Sequence, residues 1–387
     1  MSRMYLILFY ALAMIMAGCT RDIHEPITNG DDENGHEEVI LSRVPIEFGY
    51  TGIDSKAPVT TIEGLGANAS FGLFSVDKHT DDLTKSDGLN FRNRVMTYVP
   101  GEGFRLGYSN AQITCYYPSG DDVEYDFYAY YAHRNDSLLR AGVSMDPQMV
   151  NKQTKTSVHF YSYTVDKLSA TFGSDKGDIL WAKASAEGGY NEGYVRENGN
   201  PTFTFRHVTT ALSFKITLKE QTKRPMDDHV MLLVNRLWIK NSPVQADLCL
   251  IDREGDAEGK FENLVYSDDV SLVPYLRGPG GGRALECTFR ANEKGVTKVL
   301  GRGDMFIVPQ EGPLVCRLEI GRCTLQADGV SYKVDGWWTY EMELDPMEFG
   351  ASSSSYEAGM TYNYNIVMDF GWDHLSRPAP IVKGTLQ

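Results

Sequence analysis

An all-β protein of two tandem β-sandwich domains is the fold that this sequence predicts. Three observations indicate it: apolar residues alternate with a period of two along many short segments, Gly, Asn and Asp separate these segments, and no long stretch carries an amphipathic helical stripe. Aromatic residues make up 11% of the chain, and such residues favour strands. Short strands with few helices are typical of sandwiches and barrels, and not of βαβ folds.

The alternating segments occur from residue 44 to the C-terminal part of the chain. The first of them has an apolar face made of Val44, Ile46, Phe48 and Tyr50. Later segments alternate in the same way, with apolar faces made of Leu212, Phe214, Ile216 and Leu218; of Val330, Tyr332 and Val334; of Trp338, Tyr340, Met342 and Leu344; and of Tyr362, Tyr364, Ile366, Met368 and Phe370. Residues 226–240 are long enough for a helix, but their apolar run suits a buried strand equally well.

Residues 1–18 have the three parts of a secretory signal peptide. Arg3 provides the positive charge, residues 4–16 form an apolar run, and small residues end it. The run is shorter than the ~20 residues that a transmembrane helix needs. Met16-Ala17-Gly18-Cys19 then resembles a bacterial lipobox, in which the cysteine thiol carries the lipid. The alternative is an ordinary signal peptide followed by a chance cysteine.

Lipidation of Cys19 would hold the protein on a membrane by its acyl chains alone. Each buried methylene contributes about 0.8 kcal/mol, so two or three long chains anchor a protein firmly. Thr20 follows the cysteine, and not the Asp that marks the inner membrane in other lipoproteins. By that analogy we expect a surface-exposed protein of the outer membrane, with outer-membrane lipid as the partner of Cys19.

Residues 19–43 form a predicted acidic tether between the signal peptide and the folded part. Seven acidic residues and one Arg occur in residues 20–42, and too little apolar surface is present to offset the entropy of ordering, so we expect disorder there. Residues 186–200 contain four Gly and three Asn without periodicity, and they are the predicted linker. The predicted domains are therefore residues 44–199 and 200–387.

Composition and motifs argue against several classes of function. The formal net charge of −15 repels nucleic acid phosphates, so a nucleic acid partner is not expected. Neither a C-x-x-C pair nor a His/Cys cluster appears, so we expect no metal site and no cofactor. The nucleophile elbow of hydrolases is also missing, and the protein is predicted not to be an enzyme. His207 lies in a strand-like segment, where a half-buried, hydrogen-bonded role is expected.

Five cysteines follow Cys19, and an odd number cannot pair completely. Cys316 and Cys323 are close enough in sequence to face each other across a hairpin. The other interpretation is that the cysteines are buried free thiols.

A set of aromatic-rich segments occurs in a fixed order along most of the chain. After the lipobox at Cys19 come "VPIEF" (44–48), "ASFGLFSV" (69–76), "YDFYAYYAH" (125–133), "DILWA" (178–182), "FTFRHVTTALSFKITL" (203–218) and "AGMTYNYNIVM" (358–368). Together they resemble the fimbrillin family of lipoprotein pilins, the type V pilins of Bacteroides-like bacteria.

The resemblance implies two transthyretin-like β-sandwiches in tandem and assembly outside the cell by donor-strand exchange. In that family a protease removes the N-terminal strand of a surface lipoprotein, and a strand of the next subunit fills the groove. The implied function is that of a fimbrial or pilus component that supports adhesion, as a stalk, base or tip subunit. The implied partners are other pilin subunits, bound by β-strand addition, and a receptor on a host or bacterial surface.

The segment of Val44, Ile46, Phe48 and Tyr50 is the predicted strand-exchange plug. Polymerising relatives are typically cut at an arginine, but no arginine lies between Arg43 and Arg92. Lys56 occupies the region where the cut is expected, whereas a cut at Arg43 would remove only the tether. Two versions follow: in the first, Lys56 or Arg43 is cut and the protein is a stalk subunit; in the second, nothing removes the strand and the protein is a base or tip subunit.

A surface glycan-binding lipoprotein is the alternative function. Such proteins are also built of β-sandwiches, and exposed tryptophans supply stacking platforms for sugars. The tryptophans available here, for which core packing is the other role, are Trp181, Trp238, Trp337, Trp338 and Trp372.

Overall fold

The structure is a computed structural model in which β-strands dominate. It describes residues 45–54, 61–65, 69–78, 91–108, 111–116, 125–131, 133, 143–150, 153–160, 178–185, 200–219, 229–253, 255–266, 288–290, 293, 295–329, 331–349, 351–369 and 379–386. No α-helix occurs among these residues, and the two short 3₁₀ helices are Ile62–Leu65 and Pro346–Phe349. The predicted all-β class is confirmed.

Twenty-two strands make up the regular structure of the described residues. They are β1 (Gly49–Asp54), β2 (Ser70–Asp77), β3 (Arg94–Val99), β4 (Gly103–Tyr108), β5 (Ala111–Ile113), β6 (Tyr125–Tyr131), β7 (Val143–Val150), β8 (Gln153–Phe160), β9 (Leu180–Ser185), β10 (Thr202–His207), β11 (Thr210–Leu218), β12 (Val230–Ile239), β13 (Pro243–Asp252), β14 (Phe261–Tyr266), β15 (Thr288–Arg290), β16 (Thr297–Ile307), β17 (Gln310–Glu311), β18 (Leu314–Leu325), β19 (Tyr332–Leu344), β20 (Ser355–Tyr356), β21 (Thr361–Asp369) and β22 (Ala379–Leu386).

The largest sheet has eight strands in the order β1-β10-β9-β6-β2-β3-β4-β5. Strand β1 runs parallel to β10, and the other neighbours are antiparallel. Because side chains alternate between the faces of a strand, this sheet contributes to two hydrophobic cores. On β6, Phe127 and Ala129 enter the N-terminal core, which extends from Ile46 to Phe205 in sequence, whereas Tyr128 and Tyr130 enter the C-terminal core.

The C-terminal core lies between two four-stranded sheets and one face of the large sheet. The two sheets have the orders β16-β11-β21-β22 and β15-β12-β18-β19. A third four-stranded sheet, β14-β13-β8-β7, adds Leu248 and Leu250 to the same core. The indole Nε1–H of Trp181 donates to the backbone oxygen of Leu250 at 2.9 Å, and this contact ties the large sheet to β13.

The period-two segments predicted from the sequence form strands. Strand β11 buries its predicted apolar face, and β21 buries its own as far as Met368; Phe370 and Val330 lie outside the described residues. Of the two alternatives for residues 226–240, the structure shows a strand, β12, with Leu232 and Val234 fully buried.

Strand β19 contains two segments that were predicted as separate strands, one with Tyr332 and Val334 and the other from Trp338 to Leu344. Gly336 pairs with Arg322 and Val334 pairs with Cys323, so Asp335 is an extra residue without a partner on β18. Such a bulge reverses the alternation of side chains. Val334 therefore packs beside Cys323 on one face of the sheet, whereas Met342 packs in the C-terminal core on the other face.

The predicted domain boundary lies between two strands of the large sheet. Strand β10 lies beyond residue 200 in sequence, yet it pairs with β1 and β9 of this sheet. The hairpin of β7 and β8 pairs in turn with β13, and the division into two domains stays a prediction.

The cysteines of the described residues are free thiols, and Cys249, Cys316 and Cys323 are buried. Cys316 and Cys323 do not face each other across a hairpin, because both lie on β18. Seven residues of strand separate their Cα atoms by roughly 23 Å, far beyond the span of a disulfide. The hairpin interpretation was therefore wrong, and that of buried thiols is confirmed for these residues.

Candidate functional site

Residues 45–54, here called the N-terminal segment, span the two ends of the eight-stranded sheet. On one side, β1 pairs in parallel with β10, from Gly49 opposite Thr202 to Asp54 opposite Arg206. On the other side, Phe48 forms an antiparallel bridge with Phe104 of β4, and Pro45 forms one with Tyr116. The N-terminal segment thus fills the gap between β10 and β4.

The apolar side chains of this segment point into the N-terminal core. Ile46 and Phe48 each expose only 6% of their surface. The Phe48 ring stacks on Phe203 of β10, with 6.1 Å between the ring centroids, and meets Phe127 of β6 edge-on at 5.7 Å. These contacts place Phe48 at the centre of an aromatic pocket.

Tyr50 continues the same face toward the rim of the core. Its ring meets Tyr98 edge-on at 5.6 Å and Phe104 at 5.7 Å. Its hydroxyl lies 3.2 Å from the hydroxyl of Tyr98, so the polar end of each ring has a partner while the rings pack. An aromatic residue with a hydroxyl therefore suits this half-buried position.

A bulge after Tyr50 keeps the segment in contact with the core. Tyr50 pairs with Phe203 and Gly52 pairs with Thr204, so Thr51 is the extra residue. Gly52 has a φ of +146°, a conformation that favours glycine because it has no Cβ. Beyond the bulge, Ile53 turns inward and packs against the N-terminal core, which adds a fourth apolar contact to the segment.

The outward face of the segment is polar and exposed. The backbone N–H of Glu47 donates to Asn200 Oδ1 at 3.3 Å, and Asn200 Nδ2 donates to the Glu47 carboxylate at 3.1 Å. The hydroxyls of Thr51 and Thr204 lie 2.6 Å apart on the same side. One face thus fills a hydrophobic groove while the other meets water, as in an edge strand of a sandwich.

Backbone hydrogen bonds hold the segment on both sides. The N–H of Gly49 donates to the oxygen of Pro201, and the N–H of Ile46 donates to the oxygen of Cys115, both at 2.9 Å. Burial raises the pKa of the Cys115 thiol, an effect that the nearby Arg94 partly offsets. Without the segment, the structure would expose two strand edges and the aromatic pocket between them, which is the form of an acceptor for an added strand.

Three of the predicted plug residues, Ile46, Phe48 and Tyr50, lie together in this groove. The fourth, Val44, lies outside the described residues, as do the lipidation residue Cys19 and the processing residues Arg43 and Lys56. Sequence reasoning did not identify the walls of the groove, Phe104 and Phe203. The alternation of phenylalanines in "FTFRH" was the available signal for Phe203.

A buried pair of polar side chains, His207 and Asp178, lies where the chain passes from β10 to β11. The Nδ1–H of His207 donates to Asp178 Oδ1 at 2.6 Å, and both side chains are fully buried. The hydroxyl of Thr209 donates to the same oxygen at 3.3 Å. His207 is thus hydrogen-bonded as expected, although it is completely and not half buried, and this arrangement fixes the chain where β10 gives way to β11.

Two further observations concern the described residues only. They contain no group of three or more His, Cys, Asp or Glu side chains that could hold a metal ion. None of their helices has the length and apolar character needed to cross a membrane.

Comparison with solved structures shows a shared fold. A fimbrial protein from Bacteroides vulgatus aligns over 89% of this chain and 98% of its own, with a TM-score of 0.52 and 14% sequence identity. The fimbrial anchor protein Mfa2 from Porphyromonas gingivalis aligns over 88% of this chain and 98% of its own, with a TM-score of 0.39 and 9% identity. None of the curated proteins compared with this chain matches it.

Comparison with protein families identifies the family of this chain. The profile described as fimbrillin-like matches residues 59–371, which is most of the chain. The function class is accordingly that of a fimbrial component at the cell surface, with other fimbrial subunits as its class of partner. The chain belongs to the fimbrillin-like family.

Proposed function

We propose that this protein is a non-enzymatic fimbrial subunit that assembles by strand exchange at the groove of the N-terminal segment. The observation that supports it is the form of that segment: the first strand of the described residues, at the edge of its sheet, with Ile46, Phe48 and Tyr50 in the core. Once cut from the residues that follow it, such a strand can leave its sheet without disrupting the pairing of the others. Burial of apolar side chains of this size contributes about 1.5–3 kcal/mol each, so an added strand would be held firmly.

The proposal includes a lipid anchor on Cys19 and adhesion to a receptor on a host or bacterial surface. Cys19 follows the apolar run of the signal peptide directly, and this position supports lipidation. Replacement of Cys19 by alanine is the direct test, because the unlipidated protein would be missing from the outer-membrane fraction.

Processing separates the two versions of the proposal. Strand β1 ends at Asp54, so a cut after Lys56 would break the covalent link between the whole N-terminal segment and the rest of the protein. A cut after Arg43 would leave that link intact. In the stalk version the mature protein begins at Ala57 and accepts a strand from another subunit. In the base or tip version it begins at lipidated Cys19 and keeps its own strand.

N-terminal sequencing of protein from cells, with multimers resolved in mild detergent, distinguishes these versions. For the stalk version we expect the Lys56→Ala variant to lose its multimers at least tenfold while the matched Arg43→Ala variant retains them. For the base or tip version neither substitution should change the N-terminus, and multimers of this chain should be missing in both. Multimers that form while residues 45–54 remain attached would contradict strand exchange at this groove.

Glycan binding is the second candidate, and the exposure of Trp337 favours it. Trp337 exposes 47% of its surface, and its ring lies against Gly321, where an added Cβ would come within 2.7 Å of the ring carbon Cζ3. One ring face thus covers the backbone of β18 while the other meets solvent. Trp181 is buried and hydrogen-bonded, so its role is packing.

If Trp337 stacks on sugars, the Trp337→Ala variant should lose about two- to tenfold in retention on immobilised polysaccharide, since aromatic stacking contributes about 0.5–1.5 kcal/mol. The Met347→Ala variant is the matched control, because Met347 is also exposed but offers no ring. Affinity electrophoresis in polysaccharide gels measures the difference. A native protein that is not retarded by any polysaccharide would remove this candidate.

A further inference from the structure

We propose that the groove selects a donor strand with two aromatic residues spaced two positions apart, so that it accepts such a strand of another subunit and rejects strand β22 of a second copy of this chain. This inference rests on the proposed strand exchange and names its partner. The shape of the groove and the sequence of strand β22 support it.

The groove has two adjacent aromatic positions. Phe48 lies between the rings of Phe203 and Phe127, with a third ring, that of Phe91, at 6.3 Å. These surrounding rings are themselves buried at 0–2% exposure, so they belong to a packed wall. A donor with a small residue at this position would leave a cavity of nearly the volume of a phenylalanine ring, because packed walls relax only partially.

The second position, that of Tyr50, adds a polar requirement. Tyr98 and Phe104 meet the Tyr50 ring edge-on, and the Tyr98 hydroxyl lies near its hydroxyl. A charged side chain here would point toward aromatic ring edges and lose much of its hydration. Aliphatic side chains suit the flanking positions of Ile46 and Ile53, which pack against the same core.

In a second copy of this chain, residues 45–54 have the fitting pattern but fill the groove of that copy itself. The other candidate donor is the edge strand β22, which pairs only with β21 among the described strands. Its sequence, "APIVKGTL", contains no aromatic residue. One alternation gives Ile381, Lys383 and Thr385, and the other gives Val382, Gly384 and Leu386.

Neither alternation fits the groove. The first alternation places a lysine or a threonine at the positions of Phe48 and Tyr50. The second places a glycine at one of these two positions, and that aromatic position then stays unfilled. The groove therefore discriminates against β22 and accepts a strand from a subunit whose donor sequence has the pattern aliphatic-x-aromatic-x-aromatic.

Peptide exchange on the full chain tests this selectivity. A specific protease site is placed within residues 55–60, beyond the end of β1, and the purified protein is cut so that the N-terminal segment stays bound only by its contacts. Labelled peptides are then added in urea below the unfolding midpoint, and fluorescence anisotropy reports binding. The peptides are residues 44–54, the same peptide with Phe48→Ala, the same peptide with Glu47→Ala, and residues 379–387.

We expect the peptide of residues 44–54 and its Glu47→Ala form to bind equally, because Glu47 faces solvent. The Phe48→Ala peptide should bind at least about 100-fold more weakly, as large-to-small changes in packed sites do. The peptide of residues 379–387 should show a loss of the same size. Equal binding of the Phe48→Ala peptide, or binding of residues 379–387 within tenfold of residues 44–54, would overturn the selectivity while leaving strand exchange in place.

A different result would refute both proposals together. If the peptide of residues 44–54 itself does not enter the cut protein, the groove does not exchange strands. Alkylation of Cys115 provides an independent readout, because this residue contacts the N-terminal segment. Its side chain packs beside the N-terminal core, and its backbone oxygen accepts a hydrogen bond from the N–H of Ile46. Its alkylation rate should rise when the segment is displaced and fall again when a fitting peptide is bound.

Discussion

Replacement of Phe48 by alanine is expected to lower the free energy of unfolding by about 3–5 kcal/mol. Phe48 is nearly completely buried, and three phenylalanine rings surround it at centroid distances of 5.7–6.3 Å. The loss combines the transfer of a large apolar side chain from water with the cavity that remains, since the surrounding rings cannot close over it. Urea denaturation followed by tryptophan fluorescence measures the change.

Glu47→Ala is the control for this substitution, because Glu47 adjoins Phe48 in the same segment but lies on the outer face. Its loss should stay below about 1 kcal/mol, since exposed polar contacts such as that with Asn200 contribute little. Phe48→Leu should fall between the two, because leucine retains most of the buried apolar surface. A Phe48→Ala variant as stable as the control would show that the segment does not fill the core in solution.

Local patterns in the sequence were sufficient to predict the apolar face of the N-terminal segment. Alternation of side chains is a property of any strand, so Ile46, Phe48 and Tyr50 share a face wherever the strand pairs. The return of Ile53 to the core was not predictable in this way, because it depends on the bulge at Thr51 and on the φ of Gly52. Bulges depend on pairing with a partner strand, which alternation along one strand does not reveal.

Long-range pairing explains what else the sequence analysis missed. Strand β1 pairs with β10, about 150 residues later in sequence, and this pairing leaves no local signal. Asp178 and His207 lie about 30 residues apart, in two separate aromatic-rich segments. Only the pairing of β9 with β10 brings their side chains together. Composition and periodicity predict which residues are apolar and extended, whereas tertiary contacts decide which of them meet.

Replacement of Asp178 by alanine is expected to lower the free energy of unfolding by about 2–6 kcal/mol, because it removes the acceptor of two buried donors at a cost of about 1–3 kcal/mol each. The carboxylate accepts from both His207 and Thr209 without exposure to water. The Thr209 hydroxyl in turn accepts the backbone N–H of Ile179 at 3.3 Å. Loss of one carboxylate therefore disrupts the contacts that hold the chain as it passes from β10 to β11.

Two substitutions distinguish this role from a general effect of removing negative charge. Asp178→Asn keeps an oxygen that accepts a hydrogen bond and should recover more than half of the loss, whereas Asp256→Ala removes a carboxylate that is 99% exposed and should change stability by no more than about 0.5 kcal/mol. Thermal unfolding of the three variants under identical conditions gives the comparison. If Asp178→Ala is no more destabilising than Asp256→Ala, the hydrogen bond between His207 and Asp178 does not stabilise the connection of β10 to β11. If Asp178→Asn is as destabilising as Asp178→Ala, the charge of Asp178, and not its hydrogen bonds, stabilises this junction.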